Sequence, residues 1–241
     1  MANSYFEFKE FTIQQSDCAM KVCTDACLFG AWVADYLQMQ KNKAGSILDI
    51  GSGTGLLSIM LAQTTNAVID GVEIEENAAK QAAINAASSP WNNRITIQHS
   101  NIQQYAGSSS NQYDFIISNP PFFEHDLKST DESRNLALHS MALTLHELTL
   151  IINSLLKPNG HFAVLLPYAR GAFFKTESLK AGFYLHQEML VKQTPRHSPF
   201  RSMLLFGRTS QEALLQEMII KENNGYTPEF QKLLTPYYLP F

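Results

Sequence analysis

The sequence has a small fraction of charged residues, few cysteines and no long hydrophobic run, and each scarcity excludes a class of protein. Charged residues make up 17% of the 241 residues, and the formal net charge is −4. No global positive field therefore marks a nucleic-acid-binding protein, and any RNA site must come from a local patch. No apolar run approaches the roughly 18 residues that span a bilayer. Residues 1–10 also lack the apolar centre of a signal peptide.

The cysteines are too few and too crowded to form a disulfide framework. Cys18, Cys23 and Cys27 are an odd number near one end of the chain, which indicates buried thiols in a reducing cytoplasm. A zinc site would need a fourth ligand close by, and the first histidine is His99. We therefore expect a cytoplasmic protein without a metal site or a membrane anchor. No feature of the sequence indicates an oligomeric state.

Predicted strands and helices alternate from Ile47 onward. The predicted strands are Ile47–Ile50, Val68–Ile74, Arg94–Gln98, Tyr113–Ser118, Phe162–Leu166, Leu185–Lys192 and Ser202–Gly207. The predicted helices are Leu56–Gln63, Asn77–Ala87, Leu143–Leu156 and Arg170–Lys180. This alternation predicts an α/β fold, in which helices cover both faces of a mostly parallel sheet. The last two strands have no helix between them, so they should form an antiparallel hairpin.

The length suits one α/β domain with small terminal elaborations. Residues 1–43 should form an extended arm and a helix that packs on the core, with a cap at Thr24-Asp25. The apolar residues at helical spacing after this cap are Phe29, Trp32, Val33, Tyr36 and Leu37. Residues 44–210 should form the catalytic core, and residues 211–241 a C-terminal helical tail.

A glycine-rich turn follows the first predicted strand, in the stretch DIGSGTG from Asp49 to Gly55. Glycines let the backbone approach a ligand without an intervening Cβ, and dinucleotide-binding folds use a related turn. Asp49 favours a methyl donor, because a carboxylate there can reach the amino group of a cationic amino-acid moiety but would repel a pyrophosphate. The residues expected to bind this cofactor are Asp49, Gly51, Ser52, Gly53 and Gly55.

Two further polar positions follow the next strands. Glu73 ends the second strand and is placed to accept hydrogen bonds from both ribose hydroxyls. Glu75 is the nearest alternative, but it lies where the next helix begins. After the third strand, Asn101 and Ile102 stand where this architecture contacts the adenine of the cofactor. The alternative interpretation of Asn101 is an ordinary turn asparagine.

The stretch Asn119-Pro120-Pro121-Phe122-Phe123 ends the fourth strand and indicates methylation of an aromatic amine. The lone pair of such a nitrogen is delocalised into the ring, so two acceptors must hold its N–H groups while it pyramidalises. Asn119 offers a side-chain oxygen, and Pro120 offers a carbonyl that the consecutive prolines hold still. Phe122 can stack on a flipped base. The predicted catalytic residues are therefore Asn119, Pro120, Pro121 and Phe122.

Together, DIGSGTG, VEIE and NPPFF resemble the motifs of class I, Rossmann-like methyltransferases of the NPPY-type amino-methylating group. The resemblance covers roughly residues 44–207. It implies a seven-stranded, mostly parallel sheet with an antiparallel final hairpin. It also implies S-adenosylmethionine as the methyl donor, which leaves as S-adenosylhomocysteine.

The segment before this core resembles a narrower family, the bacterial tRNA adenine N6-methyltransferases that modify adenine 37 beside the anticodon of a valine tRNA. The resemblance lies in Phe8–Ile13, Ala19–Asp25 and Leu28–Trp32, and it extends the match over nearly the whole chain. The family places this segment against the cofactor pocket, which makes Lys21, Thr24 and Asp25 candidates for cofactor contacts.

Two positions depart from the family pattern. Asn101 replaces an aspartate, and its side-chain oxygen can still accept a hydrogen bond. Phe122 replaces a tyrosine, which keeps the stacking surface but loses a hydroxyl. The second departure matters because NPPF also occurs in guanine N2-methyltransferases that act on ribosomal RNA.

A tRNA substrate would need a basic surface near the catalytic strand. Residues 191–210 contain basic side chains and no acid, and their prolines suggest an exposed loop between the late strands. We expect phosphate contacts from Lys192, Arg196 and Arg201, with Arg201 preferred. A solvated hairpin tip is the alternative. The polar stretch 124–135 suggests a substrate loop without assignable roles.

Three other functions compete with adenine methylation in RNA. Protein glutamine N5-methylation uses the same chemistry, but it usually requires a separate helical domain, for which residues 1–43 leave little room. Guanine N2-methylation of ribosomal RNA often involves a second, degenerate methyltransferase domain. A non-enzymatic binding module would need a broken acceptor set, whereas Asn119-Pro120-Pro121 is intact.

Overall fold

The computed structural model describes residues 3–18, 20–41, 43–120 and 143–240. The strands are β1 (Tyr5–Glu7), β2 (Thr12–Gln14), β3 (Ser46–Ile50), β4 (Val68–Glu73), β5 (Ile95–His99), β6 (Tyr113–Ser118), β7 (Leu156–Pro167), β8 (Tyr184–Lys192), β9 (Arg201–Gly207), β10 (Leu214–Ile219), β11 (Lys221–Glu222) and β12 (Gly225–Tyr226). The helices are α1 (Thr24–Met39), α2 (Leu56–Thr64), α3 (Glu76–Ser88), α4 (Ile102–Ser108), α5 (Leu145–Leu155), α6 (Tyr168–Lys180) and α7 (Pro228–Leu234). None of these helices is long and apolar enough to cross a membrane.

The central sheet has the strand order β10-β8-β9-β7-β6-β3-β4-β5. Strands β3 to β7 pair in parallel, and β9 runs antiparallel to both β7 and β8. The parallel core and the antiparallel hairpin are as predicted. The predicted number of seven strands is wrong, because β10 adds an eighth strand parallel to β8. Leu214 to Glu217 are exposed at this sheet edge, so the segment lacks the apolar alternation by which strands are identified.

The C-terminal segment 211–241 differs from the helical tail that we expected. Its described part begins with β10 and continues through the β11–β12 hairpin, and only α7 is helical. Asn223 and Asn224 form the hairpin turn with φ of 47° and 65°, a left-handed conformation that asparagine tolerates better than most residues. Thr227 then caps α7 by accepting from the Phe230 N–H at 3.3 Å.

Helix α1 covers the predicted apolar stripe but begins without the predicted cap. Cys23 is the N-cap residue, and it makes no capping side-chain hydrogen bond. Thr24 and Asp25 instead form the first turn, where Asp25 forms an ion pair with Arg201 of β9. Cys18 and Cys27 are buried as expected, whereas Cys23 is exposed, and all three are free thiols.

Alternating side chains bury both faces of the sheet. Ile47, Phe115 and Ile117 point to a cluster beneath α1, α2 and α7, whereas their neighbours Leu48 and Ile116 point to a cluster beneath α4, α5 and α6. This period of two is expected for strands that are covered on both sides. The strands β3, β4, β6, β7 and β8 run in the same direction. Their carboxyl ends therefore meet at one edge of the sheet, where α/β folds bind their ligands.

The two chain ends pack against each other. The N-terminal arm (residues 3–18) contains the β1–β2 hairpin, and its Lys9 N–H donates to the Tyr237 carbonyl at 2.8 Å. Phe8 and Tyr238 bring their rings within 5.9 Å. The Tyr237 hydroxyl in turn donates to the Met60 carbonyl of α2 at 3.3 Å. The C-terminal segment thus joins the N-terminal arm to the helix that follows the glycine-rich turn.

We predict that Arg94 stabilises the carboxyl end of α2. Its guanidinium donates to the carbonyls of Ala62, Thr65 and Ala67 at 2.8–3.1 Å. Ala62 lies in the last turn of α2, where the carbonyls lack intrahelical partners, and the other two residues follow the helix. Arg94→Met should lower the free energy of unfolding in urea by about 2 kcal/mol, the usual contribution of hydrogen bonds from a charged donor. Lys80→Met is the control, because Lys80 is exposed and forms only a surface ion pair. Equal stability of the two variants would contradict this role.

Candidate active site

The glycine-rich turn leaves β3 with three glycines in left-handed conformation. Gly51, Gly53 and Gly55 have φ of 73°, 54° and 79°, a region that side chains strongly disfavour. The N–H groups of Gly51 and Ser52 both donate to the Val72 carbonyl, at 2.8 and 3.2 Å. Among the described residues, no atom lies within 4 Å of a Cβ built on Gly51 or Gly53. The turn therefore offers bare backbone to a ligand at the carboxyl edge.

Asp49 lies buried beneath this turn with half of its carboxylate unsatisfied. Its Oδ2 accepts from the Ser58 hydroxyl at 2.7 Å, whereas Oδ1 has no hydrogen-bond partner within the described part of the chain. Burial raises the pKa of this carboxyl to about 7, and the Ser58 bonds oppose that rise. A buried acceptor of this kind fits the cationic amino group of S-adenosylmethionine, which brings both donors and positive charge.

Glu73 is fixed at the end of β4 by two backbone N–H groups. Its Oε2 accepts from Gly53 at 2.8 Å, and its Oε1 accepts from Glu75 at 2.9 Å. Each oxygen keeps a lone pair that a ribose hydroxyl can use. Glu75, the alternative candidate, caps α3 by accepting from Asn77 and Ala78, and it is thereby committed to the helix.

Asn101 caps α4, and its Oδ1 accepts from the Gln103 N–H at 2.7 Å. This geometry is that of a turn asparagine, and the oxygen keeps a second lone pair for the cofactor adenine. The side chain of Ile102 is buried in the core cluster beneath α4. A contact between Ile102 and the adenine would therefore use its backbone. Both adenine contacts stay predictions.

Asn119 and Pro120 leave the sheet directly beside the glycine-rich turn. Ile50 and Ser118 are paired across β3 and β6, so the residues that follow them, Gly51 and Asn119, emerge next to each other. The Ser118 hydroxyl donates to the Ile50 carbonyl at 2.8 Å and links the two strand ends. Asn119 is partly exposed and Pro120 is buried. The predicted catalytic residues Pro121 and Phe122 lie outside the described residues.

The three residues before the core that were predicted to contact the cofactor lie in different surroundings. The exposed Lys21 ammonium contacts the carbonyls of Gln15 and Ser16 in the N-terminal arm. Thr24 is exposed at the start of α1. Asp25 accepts from the Arg201 Nε at 2.7 Å in a largely buried ion pair. A residue predicted to contact the cofactor is thus paired with a residue predicted to contact RNA.

The three predicted RNA-binding cations differ in availability. Lys192 pairs with Glu217 of β10 at 2.7 Å, and Arg201 pairs with Asp25. Arg196 is exposed in the connection between β8 and β9, and its side chain forms no hydrogen bond or ion pair with the described residues. Arg196 is therefore the cation of this set that can most readily meet a phosphate.

Several residues at this edge went unrecognised in the sequence. Tyr168 and Arg170 are exposed at the start of α6, and the Tyr168 N–H donates to the Phe200 carbonyl at 3.1 Å. Their position directly after β7 is a signal that the carboxyl-edge rule could have detected. Asn85 of α3 also reaches the glycine-rich turn, and no sequence signal distinguishes it from other helix residues. The described residues contain no group of three or more metal-ligating side chains.

Comparison with known proteins identifies the family. The methyltransferase small domain model matches residues 31–162. A protein of Dyadobacter fermentans named tRNA1(Val) (adenine(37)-N6)-methyltransferase is 42% identical over 99% of both chains. Proteins of the same name are 39% identical in Photorhabdus laumondii, over 97% of this chain and 95% of that one, and 36% identical in Bacteroides fragilis, over 99% of both. The chain belongs to the tRNA1(Val) (adenine(37)-N6)-methyltransferase family.

Solved structures agree on the fold. A predicted O-methyltransferase from Agrobacterium tumefaciens has a TM-score of 0.62 at 17% identity, and the match covers 88% of this chain and 95% of that one. A ribosomal protein L11 methylase from Lactobacillus delbrueckii has a TM-score of 0.58 at 14% identity, covering 82% and 84%. The family member described here is thus a class I methyltransferase, and its methyl donor is S-adenosylmethionine.

We predict that cofactor affinity depends on the ionisation of Asp49. The carboxyl has a raised pKa of about 7, and a bound cationic amino group would favour its charged form. The affinity for S-adenosylhomocysteine, which carries the same amino group, should therefore rise between about pH 6 and pH 8. Asp49→Asn should weaken binding at high pH and abolish this rise. Calorimetric titration measures both, and a wild-type affinity that falls with pH would contradict the assignment.

The same pKa predicts the opposite trend for the stability of the ligand-free protein. The folded value of about 7 exceeds the ordinary value of 3.8, so the folded state binds the proton more tightly than the unfolded chain. This stabilisation is complete below the unfolded value of 3.8 and is lost progressively as the pH rises from there to about 7. Asp49→Asn should flatten the decline in the free energy of unfolding, whereas Asp35→Asn on the exposed face of α1 should leave it unchanged.

Proposed function

We propose that the protein transfers a methyl group from S-adenosylmethionine to the exocyclic N6 of adenine 37 in tRNA1(Val). The observation that carries this proposal is Asn119-Pro120 beside the glycine-rich turn, at the paired ends of β6 and β3. The relatives that share 36–42% of the sequence over nearly full length are named for this reaction. A tRNA substrate also implies that the protein works in the cytoplasm.

The hydrogen-bond acceptors of this site suit a nitrogen that is a poor nucleophile. The Asn119 side-chain oxygen and the Pro120 carbonyl would each accept one N–H bond of the adenine amino group, so that its lone pair turns out of the ring plane. S-adenosylmethionine supplies the electrophilic methyl group. The protein contributes by positioning and orienting the reacting groups. The methylated nitrogen then loses its extra proton readily to solvent. Pro121 and Phe122 would hold the carbonyl and stack on the base.

The cofactor would be held along the carboxyl edge. Asp49 would receive its amino group, Glu73 its ribose hydroxyls, and Asn101 and Ile102 its adenine. The backbone of Gly51, Ser52, Gly53 and Gly55 would lie against it. Lys21, Thr24 and Asp25 would complete the site from the N-terminal side. The whole chain would then act as one methyltransferase domain, in which residues 1–43 and 211–241 support the catalytic core.

An RNA surface would adjoin this site. Residues 166–176 and 191–208 follow or enclose the ends of β7 and β8, and they contain no acidic residue. Arg196 would bind phosphate directly, and Tyr168 and Arg170, which are exposed at the start of α6, would add a stacking ring and a further cation. Lys192 and Arg201 are already paired with carboxylates. Phosphate contacts by these two side chains would require exchange or sharing of their partners.

Asn119→Ala tests the acceptor role. The variant should lose at least about 100-fold in kcat, because an acceptor that acts in the transition state is removed, while its affinity for S-adenosylhomocysteine stays unchanged. Unmodified bulk tRNA is incubated with methyl-labelled S-adenosylmethionine, and the nucleosides are separated by mass. Label in N6-methyladenosine supports the proposal. Label in N2-methylguanosine, or in a protein instead of tRNA, would overturn the substrate while leaving the cofactor site intact.

Arg196→Glu tests the RNA surface. The variant should raise KM for tRNA by about ten-fold and reduce the salt dependence of binding, because a phosphate contact becomes a repulsion. The KM for S-adenosylmethionine should not change. Lys41→Glu is the matched control, since Lys41 is exposed just after the carboxyl end of α1. Equal effects of the two variants on tRNA binding would show that only net charge matters.

A further inference from the structure

We propose that Asn85 is a positioning residue that fastens the N-terminal arm to the glycine-rich turn and thereby sets the affinity for S-adenosylmethionine. Asn85 lies on the inner face of α3 and is 1% exposed. Its side-chain hydrogen bonds go to the arm and the turn and not to the acceptor pair at Asn119, so its effect should fall on cofactor binding and not on methyl transfer. The inference rests on the cofactor site and is independent of which RNA is methylated.

The Asn85 side-chain amide makes three hydrogen bonds in two directions. Toward the arm, its Oδ1 accepts from the Gln14 N–H at 2.9 Å, and its Nδ2 donates to the Gln14 carbonyl at 2.8 Å. Toward the turn, the same Nδ2 donates to the Thr54 carbonyl at 2.9 Å. The amide thus pairs with Gln14 as a neighbouring strand would. Its remaining N–H holds the residue between Gly53 and Gly55.

Gln81 repeats this contact one helical turn earlier. Its Oε1 accepts from the Ser16 hydroxyl at 3.2 Å and from the Asp17 N–H at 3.4 Å. Residues four apart lie on the same helix face, and Gln81 is 5% exposed. Two buried amides on α3 therefore hold consecutive parts of the arm, and Asn85 alone of the two also reaches the turn.

The arm ends beside the acid assigned to the ribose. Cys18 is buried, and the pKa of its thiol is raised to about 11, first by burial and next by the Glu73 carboxylate. Glu73 in turn accepts from the Gly53 N–H. The arm and the ribose acid are thus both bonded to the glycine-rich turn, the arm through Asn85 and the acid through the Gly53 N–H. Loss of the Asn85 hydrogen bonds to the arm and the turn should therefore widen the cofactor site.

The three hydrogen bonds of Asn85 require an amide side chain. Asparagine supplies an acceptor and two donors on one rigid group. Aspartate has the same size but would place a carboxylate against the carbonyls of Gln14 and Thr54, where a donor is needed. Asn85→Asp therefore removes the donors to the turn and to the Gln14 carbonyl with little change in volume.

Asn85→Asp should raise the Kd for S-adenosylhomocysteine by about ten-fold, the loss expected when a buried hydrogen-bonding group is left without its partner. Calorimetry on the full chain, well below the unfolding temperature, measures this without any RNA. Hydrogen exchange of the ligand-free variant should show faster exchange at Gln14. In tRNA assays the KM for S-adenosylmethionine should rise in parallel, while kcat and the KM for tRNA stay unchanged.

Asn92→Asp is the matched control, because it makes the same chemical change at an exposed asparagine whose side chain bonds, within the described residues, to the Ala87 carbonyl alone. If Asn85→Asp fails to fold, Gln81→Leu removes the second amide alone, and a smaller rise in the Kd should still appear. An unchanged Kd in a folded variant, or a fall in kcat at constant Kd, would overturn the positioning role. Failure to find N6-methyladenosine would overturn the substrate proposal but would leave the Kd result standing.

Discussion

The site depends on the parallel pairing of β3 with β6. Ile50 and Ser118 lie opposite each other at the ends of these strands, and the Ser118 hydroxyl bonds to the Ile50 carbonyl. This pairing fixes the distance between the turn that would hold the cofactor and the residues that would hold the amine. Catalysis by orientation tolerates only small displacements of the reacting groups. The packed core on both faces of these strands therefore supports the chemistry without containing any of its groups.

The cofactor end of the site keeps a group that does not stabilise the ligand-free protein. Asp49 is buried, one of its oxygens has no partner among the described residues, and a carboxylate in such a place is costly unless it is paired. Ser58 offsets part of that cost. The part of the burial cost that Ser58 does not offset is relieved when a cationic ligand binds. The buried Asp49 carboxylate therefore lowers the stability of the ligand-free protein and strengthens ligand binding.

Local patterns predicted much of the core and the outline of the site. The alternation of apolar segments was sufficient for β3 to β9, and Asp49, the glycines and Asn119 stand where their motifs place them. β10 was missed because an exposed edge strand needs no apolar alternation. The links of Asn85 to Gln14 and Thr54, and of Asp25 to Arg201, could not be predicted. They join residues 31 to 176 positions apart, and single-sequence patterns carry no information about such pairs.

The contact between the N-terminal arm and the C-terminal segment has a consequence for the order of folding. Tyr237, whose carbonyl accepts the Lys9 N–H, follows every strand of the central sheet in the sequence. Domains generally fold as units during synthesis, and the arm cannot make this contact until Tyr237 has been synthesised. The strands of the sheet are thus available for pairing before the arm acquires its partner in the C-terminal segment.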